Sequence, residues 1–203
     1  MARSLLKAAL AFIIVFAVFE TGFYFGNFFN EKAEGIRETP LAVSSNSQME
    51  TLPDKALTAT ANIVAVTSDG QGAMSLANVE INPNGKGRVL IDANPFVETD
   101  TQQSLETAAK VASVFTGKSL ADKDVIYSVS GTNAQLIGGP SAGVAFTVAT
   151  IAAIKGKQVR TDAAITGTIN IGGSIGKIGG IVEKMNALVE QNGKLFLIPS
   201  GQR

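Results

Sequence analysis

Ser141 and Lys184 are the residues best placed to do chemistry in this chain, because the usual partners of a nucleophile are missing. The sequence has no histidine and no cysteine. That excludes Ser-His-Asp and Cys-His catalysis, disulfides, thiolate metal sites and the commonest zinc ligand. Proton transfer near neutral pH then falls to a carboxylate, a tyrosine or a lysine with a shifted pKa. No cofactor and no metal is expected.

Ser141 follows Gly138-Gly139-Pro140 and opens the most apolar stretch of the folded part, 140–154. Proline suits a first helical turn, and glycines allow close backbone approach. A helix start offers unpaired N–H groups and a positive dipole end, so the backbone at Gly139, Pro140 and Ser141 is the candidate oxyanion-binding element. Taken alone, a serine at this place is more often a helix cap than a nucleophile. Lys184 belongs to a second predicted helix, 181–190, at the border of a face formed by Ile181, Val182, Met185, Leu188 and Val189, with Glu183 and Glu190 directed away. An ammonium pressed against apolar groups is disfavoured, which lowers its pKa towards the range a base requires. The competing expectation is a side chain whose amine reaches back to water.

Other strings fit motifs without their context. Gly117-Lys118-Ser119 and Gly176-Lys177 end like phosphate-binding loops, but Ala112 and Ile171 stand where each first glycine is required. Gly139-Pro140-Ser141-Ala142-Gly143 fits a nucleophile elbow, whose hydrolases need a histidine. Ser174-Ile175-Gly176-Lys177 fits the S-x-x-K pattern, yet its glycine-rich setting predicts a turn rather than the start of a buried helix.

The elements that must position these residues lie in the last part of a three-part chain. Arg3 and Lys7 precede an apolar run, and Leu5 to Phe25 is long enough for a membrane span of about 20 residues. No small-residue cleavage site follows, so an uncleaved anchor at 1–29 is favoured over a signal peptide. The basic start keeps the N-terminus cytoplasmic and puts the rest on the extracytoplasmic side of a single-pass membrane protein. A polar linker is expected over 30–59 and a folded domain over 60–203. Strands are predicted at 62–67, 73–81, 88–91, 125–129, 163–171 and 195–198, with helices at 102–115, 140–154 and 181–190. The order predicts an α+β fold. With 45% hydrophobic residues the domain can bury a core, and 17 basic against 17 acidic residues give no reason to expect nucleic acid.

Two segments, GGPSAGVAFTVA at 138–149 and TDAAITGTINIGGSIGKIGGIVEKMNAL at 161–188, together resemble the proteolytic domain of the Lon family. The interval from Ser141 to Lys184 is similar to that family's serine-to-lysine interval, and Asp100-Thr101-Gln102-Gln103-Ser104 resembles the opening of its first helix. The resemblance covers about residue 59 to the C-terminus. It implies a mixed sheet with packed helices and a serine-type endopeptidase working through a Ser141–Lys184 dyad, with Thr166 holding the amine. It also implies protein or peptide substrates and an acyl-enzyme intermediate. A homo-oligomer is expected, and ATP-independent action within this chain. Gly138 stands where many members of the family carry an acid, and the family domain usually continues past the place of Arg203, so the domain is expected to be incomplete there. A catalytically silent Lon-like binding or assembly domain is the alternative, although such domains usually lose the serine or the lysine.

Overall fold

Alternation of buried and exposed residues begins at Leu57, where Leu57, Ala59, Ala61 and Ile63 turn to one side of strand β1 (Leu57–Val66). A computed structural model describes residues 49–92 and 94–202. The expected anchor at 5–25 lies outside the described residues, among which no helix is long and apolar enough to cross a membrane. Strand β1 starts earlier than the alternation at 62–67 suggested, within the segment read as linker.

A hairpin around Asp69-Gly70 returns the chain into β2 (Gly72–Asn82), antiparallel to β1 from Leu57↔Ile81 to Val66↔Gly72. Strand β3 (Val89–Ile91) forms one edge beside β5 (Asp124–Ser130), while β7 (Ala163–Ile165) and β10 (Leu195–Leu197) add in parallel beyond β1. The six-stranded order is β10-β7-β1-β2-β5-β3, a mixed sheet as expected. Two short pairings were not predicted, β4 (Phe96–Val97) with β6 (Leu136–Ile137) and β8 (Thr168–Ile169) with β9 (Ile175–Gly176), although β8 falls within the strand expected at 163–171. At two residues a strand, they carry no readable period.

Among the described residues, three α-helices cover the sheet. Helix α1 (Thr99–Thr116) packs on α2 (Gly143–Ile154), and α2 packs on β1 and β2. Leu105, Ala108 and Ala112 from α1, with Ala145, Phe146 and Ala149 from α2, close the main core over Ile63, Val79 and Tyr127. None of the residues of α2 is exposed, which explains its apolar sequence. Helix α3 (Ile181–Glu190) covers the opposite face, where Leu188 meets Val64 and Ala164. Its bounds are those predicted.

Two predicted elements are broken, both at the candidate site. The 140–154 helix starts as a 3-10 turn, Pro140–Ala142, before becoming α-helical at Gly143. The 163–171 strand stops after Ile165 and resumes as β8. Between the two pieces, Thr166 N–H still donates to Leu197 O of β10 (3.1 Å), but Gly167 N–H turns to Ser141 O (2.8 Å). Period-2 patterning does not register a strand that exchanges its ladder partner for a loop.

Candidate active site

Ser141 lies in the 3-10 turn, Lys184 in the second turn of α3, and Thr166 in the gap between β7 and β8. Far apart in sequence, they converge. Lys184 Nζ is 3.0 Å from Ser141 Oγ and 3.5 Å from Thr166 Oγ1. Thr166 Oγ1 donates to Ser141 O at 3.1 Å, and that carbonyl also accepts Gly167 N–H. Because the threonine proton is committed to the carbonyl, an Oγ1 lone pair is what faces the amine. A neutral amine can donate one N–H to Thr166 and still turn its lone pair to the serine proton.

Lys184 is 4% exposed. Burial pushes its pKa below the ordinary lysine range, and it takes part in none of the ion pairs among the described residues. Tyr127, the other candidate proton acceptor in the core, is shut off. Its hydroxyl meets Thr150 Oγ1 at 2.9 Å, and burial drives its pKa well above the tyrosine range.

The structure corrects the expected placement of α3. Val182, Met185 and Val189 face outward, and the buried side is Lys184, Ala187 and Leu188. Lys184 is therefore central to the buried face rather than at its border. The cause is the close approach of the β1–β2 hairpin: a Cβ at Gly72 would run into the Glu183 carbonyl and come within 3.0 Å of Ala187 Cβ. Only a bare backbone lets the sheet press on that side of the helix. Glu183, expected to point away, is half-buried and lines the cleft with Ser141 and Lys184. That cleft, about 450 Å³, opens between Val66, Gly138 and Gly180.

Of the backbone groups proposed to bind an oxyanion, Pro140 has no N–H and supplies shape alone. Gly139, at φ 86, directs its N–H to Asp100 Oδ1 at 3.4 Å. Ser141 N–H remains the candidate donor of the set. The S-x-x-K string lies elsewhere: Ser174 and Lys177 are exposed around β9, and Ser174 N–H bonds Asn170 Oδ1 (3.1 Å) in a turn. Two residues close to the site, Thr101 and Ser104, had no role assigned from the sequence beyond their place in a family-like segment. They are polar at positions of the α1 stripe that continues through Leu105, Ala108 and Ala112, and this was the available signal.

Comparison with known proteins adds a family. Residues 106–203 match the Lon protease (S16) C-terminal proteolytic domain. The chain is 26% identical over 141 residues to the archaeal Lon protease of Archaeoglobus fulgidus, covering 68% of this chain and 22% of that one. It is 34% identical over 119 residues to the Lon protease of Lawsonia intracellularis, 57% of this chain and 14% of the relative. With the Lon protease of Neorickettsia sennetsu the identity is 38% over 86 residues, 42% and 10% of the two chains. The chain thus spans less than a quarter of the length of these relatives.

Proposed function

We propose, on the premise that residues 106–203 belong to the Lon protease (S16) C-terminal proteolytic domain family, that this protein is a serine-type endopeptidase with Ser141 as nucleophile and Lys184 as general base. One observation carries the residue assignment: a buried amine without a carboxylate partner lies 3.0 Å from the hydroxyl in the 3-10 turn that leads into α2.

The steps follow from the groups present. The neutral Lys184 amine takes the Ser141 proton while Oγ attacks the peptide carbonyl carbon. Ser141 N–H is the donor offered to the oxyanion. As the C–N bond breaks, the Lys184 ammonium returns the proton to the departing amine, leaving an acyl-serine. A water, deprotonated by the same amine, then attacks the acyl carbon, and as the ester bond breaks the ammonium returns its proton to Ser141 Oγ, releasing the peptide acid. Thr166 keeps the amine directed at Oγ throughout. None of these steps calls on a nucleotide, so the chemistry of this chain is ATP-independent. The wider reading has the domain tethered through an N-terminal membrane helix at 1–29, facing the extracytoplasmic side and acting on proteins or peptides as a homo-oligomer.

Treating the full chain with a serine-directed fluorophosphonate and mapping the adduct tests the reading. Labelling at Ser141 that disappears in Lys184→Ala supports it. A Lys184→Ala protein labelled as fast as the parent overturns the dyad, and a parent that never labels leaves a binding domain.

A further inference from the structure

The turn bearing Ser141 is held from two sides. On one, Thr166 and Gly167 hold the Ser141 carbonyl. On the other stands the first turn of α1, brought there by the β4–β6 pair and by Glu98 N–H bonding Ile137 O at 2.9 Å. From that turn Thr101 Oγ1 donates to Gly139 O at 3.1 Å and Ser104 Oγ donates to Pro140 O at 3.3 Å. Both side chains are buried, at 4% and 7% exposure. The fit is close: a Cβ at Gly143 would collide with Ser104 Oγ.

We propose that Thr101 and Ser104 are positioning residues for the nucleophile, fixing the two peptide planes that precede Ser141. In a trans peptide the C=O and N–H of one plane point in opposite directions. Anchoring Pro140 O through Ser104 therefore aims Ser141 N–H, the donor offered to the oxyanion. Anchoring Gly139 O through Thr101 fixes the plane before it, where Gly139 holds the left-handed φ of 86 that starts the turn. Neither hydroxyl touches the substrate or the reacting atoms. Each acts through a carbonyl of the loop, and a small rotation of either plane misdirects a donor whose value depends on direction.

The inference rests on the peptidase reading, and the experiment separates the two. In the full chain, fluorophosphonate labelling rate, kcat and KM for a fluorogenic peptide, the pH profile and Tm are measured for Ser104→Ala, Thr101→Val and Thr101→Ser. Expected are labelling and kcat about tenfold lower in Ser104→Ala and Thr101→Val, KM little changed, an unmoved acid limb, and near-parental rates in Thr101→Ser. Parental labelling in Ser104→Ala and Thr101→Val overturns the proposal. So does a Thr101→Ser protein as slow as Thr101→Val, or a loss that only tracks the unfolded fraction. Should Thr101→Val not fold, Ser104→Ala and Thr101→Ser carry the decision. Ser141→Ala runs alongside: if it is still labelled at the parental rate, the peptidase reading fails instead.

Discussion

Lys123 and Lys184 are equally buried, at 4% exposure each, and their surroundings are opposite. Lys123, at the entrance to β5, lies 3.1 Å from the Asp122 carboxylate, next to Asp124. Asp124 is itself bound by the Arg88 guanidinium and by the Lys86 and Arg88 N–H groups, which hold its carboxyl far below the usual range. Every charge at that corner has an opposite charge or a donor. At the other corner Lys184 meets two hydroxyls and no carboxylate. A buried lysine beside a carboxylate has a structural partner, while one without is driven towards the neutral form a base needs.

The largest effect expected from exchanging these lysines for an apolar chain of similar length is on turnover. Lys184→Met should lower peptide hydrolysis by about 10³-fold or more, whereas Lys123→Met should leave kcat close to parental. Comparable losses in both would erase the functional distinction. The pH dependence sharpens it. Because the Lys184 pKa is depressed, activity should rise with pH as its amine deprotonates and fall as acid converts it to ammonium, and Lys123→Met should keep that limb. Stability follows with its own sign. Below the depressed folded value the buried ammonium is fully destabilising. Between that value and the unfolded lysine value the unfolded chain binds more protons, so stability rises with pH. The Tm advantage of Lys184→Met should therefore shrink as pH increases through that window.

Thr166→Val comes next. Losing one hydrogen bond that orients the amine should cost about tenfold in kcat, less than losing either member of the pair. A loss equal to that of Lys184→Met would make Thr166 a participant rather than an orienter. The smallest effect on rate is expected from Asp124→Asn. It should lower Tm and leave fluorophosphonate labelling per folded molecule unchanged. The Asp124 contribution should be present in full above the ordinary carboxylate value and be lost as pH falls from there towards the far lower folded value. A thermal scan from neutral to acidic pH, parent against variant, measures that convergence.

Part of the fold and of the candidate site was legible in the sequence, unevenly, while the Lys123 corner was not singled out there. The helix at 181–190 and the strands around Val79 and Val125 follow from periodicity, because each repeats its pattern over several turns or pleats. Ser141 and Lys184 stood out because histidine and cysteine are missing. Which side of α3 is buried was misjudged, since Val182, Met185 and Val189 form a better apolar stripe than the side that packs. The decision belonged to Gly72, more than a hundred residues away, whose bare backbone lets the hairpin approach. Thr101 and Ser104 were hidden for a similar reason: a hydroxyl aimed at a distant carbonyl has no local signature. Likewise nothing in Ala163–Ile171 signals that its middle abandons the sheet for Ser141 O.

Ser141, the proposed nucleophile, precedes α2, a helix with no exposed residue, and Lys184, the proposed base, rides on α3, whose outer side is exposed. Amide protons of α2 should exchange with solvent only when the whole domain opens, whereas those of α3 should exchange through a local opening of lower free energy. The proposed pair should thus be divided between a slow-exchanging and a fast-exchanging part of one molecule, so that departure of Lys184 alone would leave a soundly packed Ser141 with nothing to deprotonate it.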